Sequence, residues 1–332
     1  MPQFRIVDDP DAVNIIFQDA DTGLFPDWNR HPQTGHFARA LYRAINSERP
    51  SYEPRAFCIL DGDQPVLLAP AAYRDGAISM FGLPLVLSAR GDLGAKRRKK
   101  VFALAFEHLA ARGNGPAADR ALISGPFGGP PQTPSDMACL DRLAAPSTHI
   151  HAVAEATLGE ETVHKSLRAS FRSLVNWGRN QLDIRYINGE NPDRGLFERL
   201  PEFHTRIAGA GARGSDYWNV FWTEISAGRG ELSLGFLKDG TLVSGTAVVD
   251  ASGIAYYASG VYERDLFDKP LAHYPVYDSI VRAGQRGNTL YDLGEVYPSG
   301  SADEKEVQIG FFKKGFASAF RLRTDWNVPL TD

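Results

Sequence analysis

Turn glycines recur at matched intervals in two distant parts of this chain, and the recurrence limits the folds open to it. Apolar runs at 56–60, 66–73 and 77–81 are separated by Asp61-Gly62 and Arg74-Asp75-Gly76. Runs at 232–237, 242–249 and 254–259 are separated by Lys238-Asp239-Gly240 and Ala251-Ser252-Gly253. Asp-Gly and Ser-Gly pairs supply the positive φ that tight hairpins need, so each group reads as a three-stranded meander. Gly76 and Gly82 follow Gly62 by 14 and 20 residues, and Gly253 and Gly260 follow Gly240 by 13 and 20. Shared punctuation predicts two similar α/β units.

Helical periodicity fills much of the rest. Residues 11–19, 37–45, 101–111 and 137–144 read as helices in the first half, with strands at 122–124 and 149–156. The 101–111 helix is expected to end at Gly113. Five consecutive cations, Lys96 to Lys100, stand at its entrance; they cannot share one helix face, so most are expected to be solvated. In the second half, Val163, Leu167, Phe171, Leu174 and Val175 predict one long helix over 162–180, followed by shorter ones at 198–207 and 217–225. At about 100° per residue, Lys165, Arg168, Arg172 and Arg179 would share one stripe of that long helix. The stripe carries no acid before Asp183, which predicts an anion-binding face.

A chain of 332 residues, 43% hydrophobic and 23% charged, is long enough for two cores. Its formal charge of −4 excludes a globally basic nucleic-acid binder, so any polyanion must meet a local patch. Cys58 and Cys139 suit a reducing compartment better than a disulfide framework. Eight histidines lack metal-ligand spacing, and each reads as structural or exposed; no metal is expected. No apolar window approaches a membrane span and the first residues lack a signal core, so the expected location is the cytoplasm.

The stretch from Tyr291 to Phe316 is the richest in chemistry: Y-D-L-G-E-V-Y-P-S-G-S-A-D-E-K-E-V-Q-I-G-F-F-K-K-G-F. A strand end delivers Asp292 and Glu295 to a Gly/Ser-rich loop at 298–303, and Gly294 allows the chain to turn. Val307, Ile309, Phe311 and Phe312 are expected to be buried around Lys313 and Lys314. D-L-G followed by K-E and I-G-F-F-K-K-G-F resembles the closing motif of the FemABX family, non-ribosomal peptidyl transferases related to the GNAT acyltransferases. The likeness extends to a helix with spaced cations upstream, a central hairpin, and a proline-led helix before the D-L-G strand. It covers roughly residues 162–320.

This resemblance implies an α/β fold of the α+β type, two tandem GNAT-like domains, each a mixed twisted sheet flanked by helices. The expected boundaries are 1–158, completed by 318–332, and 159–317. It implies transfer of an amino acid from aminoacyl-tRNA, a co-substrate rather than a cofactor, to an amine acceptor. Lys313 would meet the donor's 3′ end or the developing charge, with Phe312 and Phe316 packing beneath it and Lys314 in its place if the register is shifted by one. Asp292 and Glu295 are the nearest candidates for a general base, and Tyr256 and Tyr257 could donate to the oxyanion or line the cleft. Lys165, Arg168 and Arg172 would bind phosphates of tRNA or of a diphosphate-bearing acceptor. Lys305 is a further substrate-binding candidate, with a surface salt-bridge cluster of Glu304, Lys305 and Glu306 as the alternative.

An acyl-CoA donor, or a carrier-protein thioester, would need a Gly-rich pyrophosphate loop between a strand and a helix. The match Arg206-Ile-Ala-Gly209-Ala-Gly211 follows a predicted helix instead, and residues 261–270, where the loop belongs, contain no glycine. The span 188–230 has room for two short helices and no heptads, so no coiled-coil arm is expected. A non-catalytic anion-binding protein is the remaining alternative.

Overall fold

The computed structural model describes residues 4–20, 23–46, 52–111, 118–128, 134–266, 268–297 and 303–330. Gly113, most of the 298–303 loop and part of 261–270 fall outside them. The chain divides into two compact α/β units: Met1–Arg30, Thr34–His149 and Leu322–Asp332 form unit 1, and His31–Gln33 with Ile150–Arg321 form unit 2.

In unit 1, β1 (Phe4–Val7), β3 (Phe57–Asp61), β4 (Gln64–Ala69) and β7 (Ser88–Ala89) make a four-stranded antiparallel sheet in the order β1-β3-β4-β7. A second ladder runs β2 (Glu53–Pro54), β5 (Ala72–Arg74), β6 (Ala77–Ser79), β8 (Arg120–Phe127), β15 (Ala319–Pro329). The first predicted meander is thereby broken. Its middle run changes sheets at Pro70 and Ala71, because proline has no N–H for a continuous ladder. Around these sheets lie α1 (Pro10–Gln18), α2 (His36–Asn46), α3 (Ala95–Ala110) and α4 (Pro134–Leu140). Asp9 caps α1 by accepting from the Ala12 N–H, with Pro10 at the first helical position. The five cations at 96–100 lie inside α3 rather than before it. Trp326 on β15 donates its indole N–H to buried Asp136 at 2.7 Å, tying the last strand to α4.

Unit 2 is built on the second meander, which forms as predicted from its turn glycines. β10 (Asp183–Ile187), β11 (Gly230–Phe236), β12 (Leu242–Ala251) and β13 (Ile254–Tyr262) pair antiparallel in sequence order. Gly260 falls inside β13 rather than ending it, where a Cβ would collide with the Tyr257 hydroxyl. The crossover helix α9 (His273–Gln285) then returns the chain so that β14 (Leu290–Glu295) joins β13 in parallel. β9 (Ala145–Glu155) lies antiparallel on the other side of β14, with His151 opposite Glu295 and Val153 opposite Asp292. Also in this unit are α7 (Arg194–Ala208), α8 (Ser215–Ser226) and α10 (Glu304–Lys314), the last opened by a capping box between Asp303 and Glu306.

The long helix expected over 162–180 is two helices, α5 (Gly159–Ser166) and α6 (Ala169–Gln181). Leu167 and Arg168 take extended conformations between them. The Arg168 N–H bonds to the Gly315 carbonyl at 2.9 Å instead of an intrahelical one, and the Arg172 guanidinium donates to the carbonyls of Lys165 and Leu167 at the end of α5.

On α9, burial raises the Asp278 carboxyl to about 6, against the hydrogen bond it accepts from Tyr186 at 2.9 Å and the charge of Arg282. A carboxyl with a raised folded-state pKa supports the fold below the unfolded value, and that support is lost as pH rises through the folded value. Asp278→Asn keeps an acceptor for Tyr186. It is expected to raise stability by about 1–3 kcal/mol above pH 7 and little at pH 4, read as thermal midpoints across that range. An equal gain at both pH values would refute the charge-burial account.

Candidate functional site

The polar centre of unit 2 gathers on β14, at the D-L-G motif. Asp292 is fully buried on the strand, and its carboxylate receives three N–H groups. His31 Nε2 lies at 3.0 Å, His151 Nδ1 at 3.0 Å and the Gly294 backbone N–H at 2.8 Å. His31 Nδ1 accepts the Gln33 N–H at 3.0 Å, so that ring carries its hydrogen on Nε2 and is a neutral donor to Asp292. Burial alone would raise the carboxyl, but the hydrogen bonds from His151 and His31 outweigh it and hold Asp292 well below the usual carboxylate range.

Lys313 closes the site from α10. Its ammonium donates to the Glu295 carbonyl at 2.9 Å, directly over Gly294. Burial lowers its pKa, while Asp292 and Glu295 oppose that shift. Tyr256, opposite Asp292 in the β13–β14 register, lies with its ring 5.7 Å from that of His31. Gln33 donates its amide to the Tyr256 hydroxyl at 2.8 Å, so the phenol accepts there and directs its own hydrogen elsewhere. The arrangement is an ionised carboxylate fixed by two imidazoles, a partly desolvated ammonium above it, and an oriented phenol beside it. It can stabilise an oxyanion and hold a carbonyl in place.

Gly294 makes the approach possible. Its φ is +90°, and an added Cβ would stand 2.9 Å from the Lys313 nitrogen. Gly294→Ala is expected to displace the ammonium and to cost about 1–3 kcal/mol of stability, read as a fall in thermal midpoint. An unchanged midpoint would show that the turn accepts the side chain without strain.

The expected residues do not all reach this site. Asp292, Glu295, Lys313 and Tyr256 come together, but Asp292 is a weak base, because the bonds it accepts hold its carboxyl well below the usual range. Glu295 presents its backbone carbonyl to Lys313. Tyr257, adjacent to Tyr256, is directed to the opposite face of β13, where it meets Tyr262 at 2.9 Å, and burial raises its pKa. Phe312 packs with Phe171, His273 and Phe316. Lys314 is exposed on the last turn of α10, and Lys305 is exposed on the first, about 12 Å from Lys313 along the axis. Ile309 and Phe311, expected to be buried, are exposed instead, Phe311 by 61%.

The basic stripe does not form. Lys165 sits on the separate helix α5 and pairs with Glu161 at 2.6 Å, and Arg179 pairs with Glu160 at 2.7 Å. The acids that answer these cations come from the first turn of α5. Arg172 serves the carbonyls at the end of that helix, and Arg168 stacks over Phe311 with its guanidinium carbon 3.9 Å from the ring centroid. Sequence reasoning missed His31 and His151 altogether, since each carries no local motif and both meet Asp292 only through the fold.

Neither a family model nor a curated protein matches the chain. Solved structures do. FemX superposes with a TM-score of 0.64 at 12% identity, covering 98% of this chain and 97% of that one. L-PGS from Bacillus licheniformis gives 0.59 at 12% identity over 96% and 91%. A tandem GNAT protein from the clavulanic acid biosynthesis pathway gives 0.50 at 13% identity over 99% of each. The fold is FemABX-like and GNAT-like.

Proposed function

We propose that this protein is an acyltransferase of the aminoacyl type, moving an amino acid from aminoacyl-tRNA to an amine acceptor to form an amide. The observation that carries the reading is Lys313, an ammonium desolvated over Gly294 and backed by an ionised, fully bonded Asp292. The acceptor nitrogen bonds to the ester carbonyl, the tetrahedral oxyanion takes hydrogen bonds from Lys313 and Tyr256, and collapse breaks the ester C–O bond. The proton lost by the acceptor amine is made good on the departing 3′-oxygen. Asp292, His31 and His151 act as positioning residues for the donors. Arg168 on exposed Phe311, with Lys314 on the same helix, is the surface proposed to meet the donor's 3′ end, combining a cation with an aromatic face.

The test is transfer of radiolabel from a pool of charged tRNAs to small amines and cell-extract fractions, run beside acetyl-CoA and at two salt concentrations. Label moving from tRNA, with loss at high salt, is the expected result. Label moving only from acetyl-CoA would replace the donor by a thioester. Silence from both in a folded sample would favour a binding protein.

A further inference from the structure

Tyr256 takes its orientation from a side chain 223 residues away in sequence, and that side chain is held by a titratable ring. The strap His31-Pro32-Gln33 belongs to unit 2 and closes on itself. The Gln33 backbone N–H donates to His31 Nδ1 at 3.0 Å, so the ring nitrogen stands where the side-chain oxygen of an Asx turn accepts from the second residue on. Pro32, buried between them, limits φ to about −65° and with it the other shapes open to the turn. His31 Nε2 lies 3.0 Å from the Asp292 carboxylate, and the Gln33 amide reaches the Tyr256 hydroxyl at 2.8 Å. The buried ring thereby holds the turn at one nitrogen and meets the carboxylate at the other.

Only the neutral ring can do both. Nδ1 accepts while it carries a lone pair; a proton taken up there from solvent makes it a donor facing the Gln33 N–H, and the turn loses its bond. Imidazole is the side chain that titrates nearest neutral pH. The titratable and charged groups around the ring are Asp292 on β14, His151 on β9 with its ring 6.4 Å away, and Tyr256 on β13 at 5.7 Å, with the Lys313 ammonium of α10 seated over Gly294. None of them can replace His31 Nδ1 as the acceptor that shapes the turn, because that bond runs from residue 33 to residue 31 within the strap itself.

We propose that Gln33 is a positioning residue for the transfer and that His31 makes its hold conditional on protonation: the neutral ring keeps the Gln33 amide on the Tyr256 hydroxyl, and the protonated ring releases it. The inference rests on the reading of Tyr256 as a donor to the oxyanion. With the amide in place, the phenol accepts from Gln33 and directs its own hydrogen away from it, so the donor is set before the charge develops. Once the strap opens, the phenol loses the bond that orients it. The donor is therefore prepared above the His31 transition and lost below it.

The experiment follows both ends of the strap by NMR in the whole protein, with histidine ring nitrogens and tyrosine Cζ isotope-labelled. His31→Asn and Tyr256→Phe assign the two signals by their loss. Near pH 8 a neutral His31 with its hydrogen on Nε2 is expected, and acidification should move the Tyr256 signal with the same midpoint as the His31 ring. In Gln33→Ala the ring should still titrate while the Tyr256 signal stays in place. A Tyr256 signal that ignores His31 in the parent protein overturns the proposal, as does a ring that stays neutral down to the pH of unfolding. A Tyr256 signal that follows His31 equally in Gln33→Ala also overturns it, since the two rings would then be coupled directly.

Transfer kinetics supply the second arm. Gln33→Ala should lower kcat about ten- to a hundredfold near pH 8 with KM for the amine little changed, and should lose the part of the acid limb that shares the His31 midpoint. The acceptor amine protonates in both proteins, so the ratio of the two profiles isolates the strap. His31→Asn, whose side-chain oxygen can accept the Gln33 N–H without titrating, should lose the same part of the limb. A parent-to-Gln33→Ala ratio that is constant with pH overturns the proposal. The NMR arm needs neither donor nor acceptor, so coupled signals without any transfer would refute the reaction proposed above rather than the strap.

Discussion

Lys313→Met is expected to lower kcat/KM for the proposed amide formation by about 10²–10³-fold, the usual loss on removing one oxyanion donor. Methionine retains the length of the stem that passes over Gly294. The ammonium donates to the Glu295 carbonyl, and burial already disfavours its charge. The stability lost should therefore be about 1 kcal/mol, a change of about 2–4 °C in thermal midpoint for a unit of this size. Steady-state kinetics with the donor that the transfer assay identifies, paired with thermal denaturation, separates the two effects. A large fall in midpoint with full activity in the surviving folded fraction would make Lys313 a structural residue and remove the central donor from the proposed mechanism.

The largest effect on stability is expected at Asp292. An asparagine there would remove the charge and turn an NH₂ group toward the N–H donors of His31, His151 and Gly294. Breaking a buried charged network in this way costs about 3–5 kcal/mol. Because the folded-state pKa of Asp292 is depressed, its contribution is present above the ordinary unfolded carboxylate value of about 4 and is lost as pH falls below it. The difference in midpoint between the parent protein and Asp292→Asn should thus be widest near neutral pH and shrink toward pH 3. A constant difference would show that the loss is steric rather than electrostatic. Activity should fall too, since Gly294 and the seat of Lys313 depend on the same carboxylate.

Elements specified by neighbouring residues were legible in the sequence. The second meander follows from Asp239-Gly240 and Ser252-Gly253, whose glycines take the positive φ that their turns require. Elements specified by distant partners were not. Nothing near Leu167 announces the break between α5 and α6, because the Arg168 N–H finds its acceptor at Gly315. Pro70 could be read as a break in one strand, but the exchange of sheets that follows it depends on β6 and β8. The motif from Asp292 to Lys313 holds residues that the fold brings together in the candidate site, and the resemblance it carried led to the α/β fold. His31 and His151 were read as structural or exposed because a histidine 141 residues from its carboxylate leaves no periodic trace. The partners that depress the Asp292 pKa come from distant parts of the chain, so its weak basicity was not legible either.

His31–Gln33 contributes one imidazole to Asp292 and the amide that orients Tyr256, yet it reaches unit 2 from the first tenth of the chain. The two units are consequently not exchangeable as gene segments. A recombinant chain joining residues 150–321 to a foreign N-terminal half would retain the β-meander, the motif strand and Lys313. It would leave the buried carboxylate with one imidazole in place of two. Evolution of this protein by swapping domains is thus constrained at a tripeptide, and His31 and Gln33 should vary in concert with β13 and β14 rather than with the residues beside them in sequence.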